Sequence, residues 1–433
     1  MRRAAAVLLG ALAALAAPRA ASAGEPSAAE ARLRTEAAEA LAGWAGRCAA
    51  AGARAEGEAA AAEAKGLDHL AEGVHDAESA LASPGADGGD AAALAALRRS
   101  AAAAVAKVYD RLAALPRDKA DEPRFEGYLL AAARWEPTDG RRKRILSAVE
   151  AAAGAGRPEA AGRLLAGAER LDPEGSAKGK YDALAQSLAA KDLLAMGSPG
   201  HDLIGWVSLP RGWTKGKSWP MLLGVEGAGC GFAGYCRGLA TARGSRPFIV
   251  VIPFSFSNTN SPFAPAKWPV YAPDLVQRWD AAAAPRTDFD GPGALALLDA
   301  VRRRFGGEEK VFVTGFSGGG NLAYWMLIRH PERVRGAAPA CANFSGMGLD
   351  GAPGAGPGGG PPVHLLTGEK DPHRDFTFGD KNQPGIEPQT DRAVEALKGL
   401  GYTRIERTLV KGAGHAALAD QVWRFVDGVL GSK

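Results

Sequence analysis

The rhythm of apolar and polar positions changes near residue 200. Before that point alanine, leucine, glutamate and arginine dominate, and strand patterns are absent. These are strong helix formers, so residues 24–196 are expected to be helical. Residues 83–90, Ser-Pro-Gly-Ala-Asp-Gly-Gly-Asp, interrupt the helices with turn chemistry. Beyond residue 200, short runs rich in Val, Leu, Ile and Phe recur: Leu203–Pro210, Pro220–Val225, Lys310–Thr314, Pro362–Gly368 and Ile405–Val410. Longer helical patterns separate several of them. Strands alternating with helices predict an α/β fold, a mostly parallel sheet with helices on both faces.

The expected layout has three parts. Residues 1–23 read as a leader, 24–196 as an all-α region and 201–433 as the α/β domain. Gly197-Ser198-Pro199-Gly200 reads as the linker, and Leu203–Pro210 as the first strand. About 230 residues then follow, enough for a domain with its own core. A chain starting near Met196 is therefore expected to fold alone. Within the helical region, Gly127–Arg134 is echoed by Gly162–Glu169. The spacing of about 35 is near the 34-residue tetratricopeptide period. Residues 125–190 resemble tetratricopeptide helix pairs, although two copies fall short of a solenoid. A plain helical hairpin accounts for the same pattern.

Gly315-Phe316-Ser317-Gly318-Gly319 carries the chemistry. A β-branched and aromatic strand precedes it, and the helical run Gly320–Ile328 follows. A serine at a sharp strand-to-helix turn presents its hydroxyl at the apex, and the flanking glycines let the backbones pass closely. With 57 glycines in 433 residues the five-residue pattern alone is weak. Its strand and helix context, and two further residues, make it specific. The run Pro362–Asp371 is a buried-strand pattern ending in an acid on a loop, and the run Ile405–His415 alternates as a strand and ends in a histidine. A serine needs a base within hydrogen-bond reach, and the base needs an acid to hold its tautomer. Ser317, His415 and Asp371 supply all three, in the chain order Ser, Asp, His. His373 and Asp375 are nearby competitors, but Asp371 follows the strand most directly.

On these residues, with His330-Pro331-Glu332-Arg333-Val334, the second half of the chain resembles the α/β-hydrolase superfamily. Within it the likeness is to bacterial secreted esterases related to polyhydroxybutyrate depolymerases, feruloyl esterases and the small phospholipase/carboxylesterase group. The resemblance implies ester hydrolysis through an acyl-enzyme, with no metal or organic cofactor. It also implies an oxyanion hole built from the backbone amides of Gly318 and Ala228. One departure stands out. Such enzymes usually carry His-Gly after the strand before the oxyanion loop, whereas Val225 here is followed by Glu226-Gly227-Ala228-Gly229. The Glu226 carboxylate either holds the loop by accepting backbone N–H bonds or faces the oxyanion and opposes catalysis.

Other features modify this picture. Cys230 and Cys236 flank a glycine-rich loop, and a bridge between them would brace it; Cys48 and Cys341 would remain. Phe254–Phe256 and Trp268–Tyr271 either wall a pocket or form a packed loop. His69, Glu72 and Asp76 share a helix face with metal-ligand chemistry, although such a cluster on a polar helix is far more often a solvated face. Residues 351–362 read as a glycine- and proline-rich flexible loop.

Met1-Arg2-Arg3, the apolar run Ala4–Ala17 and Ala21-Ser22-Ala23 match a secretory signal cleaved after Ala23. That run is shorter than the about 20 residues a membrane span needs, so no span is expected in the mature protein. Export to the periplasm or outside the cell follows. Cleavage would remove Arg2, Arg3 and Arg19, most of the formal net charge of +4. A nucleic-acid partner is not expected, because it would need a clustered basic excess. The expected partner is a small or polymeric ester. A serine peptidase or acyltransferase would use the same triad. A non-catalytic binding module, recruiting a protein partner through the helical region, is the reading from a different class.

Overall fold

The structure is a computed structural model. It describes residues 122–170, 178–198, 201–259, 284–377 and 380–431, with isolated positions in 103–114 and between these spans. The expected leader, Cys48, the expected 83–90 break and the expected His69, Glu72 and Asp76 face lie outside the described residues.

Two compact units divide the chain. The first contains helices α1 (Glu122–Trp135) and α2 (Asp139–Gly154) and the end of α3 (Pro158–Arg170). Thr138 caps α2 by accepting the Arg141 N–H at 3.3 Å. Inside this unit a Cβ on Gly167 would lie 2.5 Å from Leu130 Cδ2, so the missing side chain lets the α3 and α1 surfaces meet. The helical character expected of 125–190 is present, but the segment is not one unit. Residues 156–166, which include the start of α3, and helix α4 (Lys178–Lys191) cluster with the sheet.

The second unit is built on an eight-stranded sheet. Its strands are β1 (Leu194–Ser198), β2 (His201–Ser208), β3 (Met221–Val225), β4 (Ile249–Pro253), β5 (Val311–Gly315), β6 (Val334–Ala337), β7 (Val363–Gly368) and β10 (Ile405–Val410). A separate hairpin pairs β8 (Phe376–Thr377) with β9 (Asp380–Pro384). The sheet order is β1-β2-β4-β3-β5-β6-β7-β10. β2 runs antiparallel to β1 and β4, and all other pairs are parallel. Between strands lie α5 (Phe232–Arg243), α6 (Thr287–Phe305), α7 (Gly320–Arg329) and α8 (Ile386–Gly399), and α9 (Ala419–Gly431) follows β10. This is the α/β-hydrolase fold. The central strands Met221–Val225 and Val311–Gly315 are buried throughout, which is why they read as continuous apolar runs.

The sheet begins earlier than the sequence pattern places it. Leu194 pairs with Val207 and Ser198 with His201, so Gly197 and Ser198 are strand residues rather than linker. A chain starting at Met196 would cut β1 in two. It would also lose α4, which packs on β1 and β2.

Register fixes the site. Val225 lies opposite Gly315, so the loop after β3 and the turn after β5 leave the sheet together. Gly368 lies opposite Val410, so the loops after β7 and β10 also leave together. Bridges from Phe316 to Ala340 and from Ala340 to Leu366 join the two pairs. Ligand sites of open α/β sheets lie at this carboxyl edge.

Candidate active site

The turn after β5 is strained where the sequence places the nucleophile. Ser317 has φ 51° and is buried. A left-handed backbone at a residue with a Cβ costs roughly 1–2 kcal/mol. A Cβ on Gly315 would lie 2.5 Å from Gly319 O, and one on Gly319 only 2.2 Å from Val225 O. A side chain at Gly319 would push the turn off β3, and one at Gly315 would push the strand off the turn and helix that follow it. The Ser317 amide donates to Cys341 O at 3.1 Å, and Ser317 O accepts from the Asn343 amide at 2.8 Å. The backbone around the serine is therefore tied to the chain segment after β6.

Asp371 and His415, the expected acid and base, lie side by side. Asp371 Oδ2 lies 2.8 Å from His415 Nδ1, and Oδ1 accepts the His373 amide at 2.8 Å. The Asp371 side chain has no exposed surface, and that of His415 is 16% exposed. Burial alone would raise the Asp371 carboxyl. The hydrogen bonds from His415 and the His373 amide outweigh it and hold the group below its ordinary range. The Phe316 ring sits 4.8 Å from the His415 ring, which brings the base against the serine turn. The competitors fall elsewhere. Asp375 is exposed and pairs with Arg374 at 3.2 Å, while the His373 ring stands at right angles to His415, 4.9 Å away.

Gly318 and the residue before Ala228 border Ser317. Gly318 follows it in the chain. Gly227, just before Ala228, lies so close that a Cβ there would be 3.0 Å from Ser317 Cβ. Glu226 turns into its own loop, where the Gly231 and Gly227 amides donate to its carboxylate. Of its two expected roles this geometry matches the first. Burial pushes the carboxyl up to about 7, against those two bonds.

That shift makes a prediction. A carboxyl raised in the folded state favours folding when protonated. Its penalty is full above about pH 7 and vanishes below the unfolded-state value. Glu226→Gln should therefore gain thermal stability relative to the parent as pH rises from about 5 to about 8. A difference in midpoint that stays flat across that range would contradict the arrangement.

Sequence reasoning missed a second buried brace. Asp290, fully buried on α6, accepts the Phe256 amide at 2.9 and 2.8 Å and also the Ser257 amide. Burial, against these bonds, pushes its carboxyl up to about 6. Asn321 Nδ2 donates to Ser257 O at 3.1 Å. The segment so held presents Asn258, whose Nδ2 donates to Gly227 O at 3.0 Å. Asp290 thus supports the loop that borders Ser317. One signal was available: Asp290 shares its helix face with Ala294, Leu297 and Val301, all buried, and an acid on such a face needs partners.

Two other expectations are settled by packing. Cys230 and Cys236 are free thiols, so the proposed bridge is absent. Cys236 faces inward from α5, whereas the Cys230 thiol lies 3.5 Å from Ala228 O. Phe256 and Trp268 are fully buried against each other, 5.4 Å apart, and Phe254 and Tyr271 pack beside them. These rings form a packed segment and not an open pocket wall. No described helix is long and apolar enough to cross a membrane.

No family model matches this sequence, and no curated protein does. Solved structures are similar in outline. A poly(3-hydroxybutyrate) depolymerase from Bordetella parapertussis is 18% identical, over 55% of this chain and 89% of that one, with TM-score 0.42. Poly(aspartic acid) hydrolase-1 from Sphingomonas sp. KT-1 is 16% identical, over 55% and 97%, with TM-score 0.40. Esterase 2 from Thermogutta terrifontis is 16% identical, over 55% and 94%, with TM-score 0.37. These values are too low to transfer chemistry; the fold class rests on the strand order.

Proposed function

We propose that this chain is an exported serine esterase that hydrolyses carboxylic esters through an acyl-enzyme. The 2.8 Å Asp371–His415 bond beside the strained Ser317 turn is the observation that carries the proposal. In this reading Ser317 Oγ attacks the ester carbonyl. His415 Nε2 takes the proton and returns it to the leaving alkoxide. Asp371 holds Nδ1 protonated, so that Nε2 is the basic nitrogen. The amides of Gly318 and Ala228 donate to the oxyanion. Water then repeats the sequence and releases the acid. Residues 201–433 would carry all of this chemistry, and the helical region would serve a separate purpose.

An ester and an amide with the same acyl group separate this reading from a peptidase. The purified chain should hydrolyse p-nitrophenyl butyrate and leave butyryl-p-nitroanilide essentially untouched. Comparable kcat/KM on the two would favour the peptidase reading. No hydrolysis of either would favour the binding module.

A further inference from the structure

Asn258 is completely buried, yet its side chain is only half satisfied. Nδ2 donates to Gly227 O at 3.0 Å, and Oδ1 has no hydrogen-bond partner among the described residues. A buried acceptor left bare costs stability, and an apolar side chain of the same shape avoids that cost. Packing alone therefore does not account for an amide at this position. The two residues before it are firmly held. Asp290 accepts the Phe256 and Ser257 amides, and Asn321 donates to Ser257 O.

Asn258 reaches both peptides assigned to the oxyanion hole. Its main-chain carbonyl lies against Gly318, where any Cβ would run into Asn258 O. Its side chain holds Gly227 O, which also accepts the Cys230 amide at 3.1 Å. Gly227 O belongs to the same peptide unit as the Ala228 N–H. That unit is trans, and in a planar trans peptide the two groups point in opposite directions. Fixing the oxygen therefore fixes the line of the N–H. The Ala228 N–H itself meets no acceptor among the described residues, which leaves it free to donate to a ligand.

We infer that Asn258 is a positioning residue of the proposed esterase site, its side-chain amide aiming the Ala228 N–H at the oxyanion. The inference rests on the Ser317-His415-Asp371 reading. Without the amide, Gly227 O keeps only the Cys230 bond, and glycine's freedom of φ and ψ lets the peptide rock. The loss falls on the tetrahedral state, where charge develops on oxygen, and not on the bound ester.

The test compares two inhibitors of the full chain, a trifluoromethyl ketone and the methyl ketone with the same propyl chain. Ser317 Oγ adds to the carbonyl carbon of the first, the C=O electron pair moves to oxygen, and the Oγ proton goes to His415 Nε2. The methyl ketone stays trigonal and reports ground-state binding. In Asn258→Ala and Asn258→Leu, kcat/KM on p-nitrophenyl butyrate and the trifluoromethyl ketone Ki should both worsen by roughly 10- to 100-fold, short of the loss of a donor outright. The methyl ketone Ki should hold within about twofold. Leucine fills the volume of asparagine, and Gly227 O keeps the Cys230 amide, so neither variant leaves that oxygen bare. Cys230→Ala removes the other contact of Nδ2, 3.6 Å away at Sγ, and should leave both inhibition constants unchanged. Donor-free variants that keep the parent's preference for the trifluoromethyl ketone overturn the inference, even if their activity or thermal midpoint falls. Equal weakening in Cys230→Ala would assign the effect to the thiol and overturn it as well. The two readings fail differently. If Ser317 is not the nucleophile, the parent's response to the two ketones is unchanged in Ser317→Ala. If Asn258 merely supports the loop, the preference disappears in Ser317→Ala and survives in Asn258→Leu.

Discussion

Ser317→Ala is expected to lower kcat on p-nitrophenyl butyrate by about 10⁶-fold, the loss seen when a triad nucleophile is removed. The thermal midpoint should hardly change, because the Ser317 backbone amide and carbonyl carry its hydrogen bonds to Cys341 and Asn343. Alanine has the same backbone steric requirements as serine at φ 51°, so the strain of the turn is kept. The variant therefore removes the hydroxyl and little else. Purified variant that retains most of the activity would remove Ser317 from the mechanism.

Asp371→Asn is the second large effect, a loss of about 10⁴ in kcat by analogy with other triads. An amide in place of the carboxylate can donate to Nδ1, which selects the tautomer that lacks a free basic Nε2. The same change removes a stabilising charge. Asp371 sits below the ordinary carboxylate range, so its contribution to stability is present above that range. It is lost as pH falls through the lowered value. Asp375→Asn is the control, since Asp375 is exposed and paired with Arg374. A larger loss in the Asp375 variant than in the Asp371 variant would place the acid four residues further along.

The positions of the candidate site residues were more legible in the sequence than the supports around them. Ser317, Asp371 and His415 each follow a strand by a few residues, and short-range pattern reads such positions well. The Asp371–His415 bond depends only on β7 and β10 being neighbours in register. The start of the sheet was not legible. Leu194, Ala195 and Met196 are strong helix formers, and Gly197-Ser198 mimics a turn. Pairing with β2 overrides both preferences. The brace formed by Asp290, the Phe256–Asn258 segment and Gly227 joins residues far apart in the chain, and no local pattern encodes such a closure. The burial of Phe256 and Trp268 has the same origin, since adjacent aromatics fit a pocket wall or a core equally until their neighbours are known.

Glu226 illustrates the limit from the other side. Its position beside the oxyanion loop was legible, but its orientation depends on where the Gly231 amide lies after the loop closes.

The central claim is that Ser317 is an activated nucleophile, and a fluorophosphonate probe tests it most directly. Such a probe phosphonylates a serine that a neighbouring base has activated and leaves ordinary hydroxyls alone. After incubation with the intact chain, peptide mass mapping should place one adduct on Ser317. The Ser317→Ala and His415→Gln variants should take up none under the same conditions. Absence of any adduct on the folded parent chain, or an adduct on a different serine, would contradict the account.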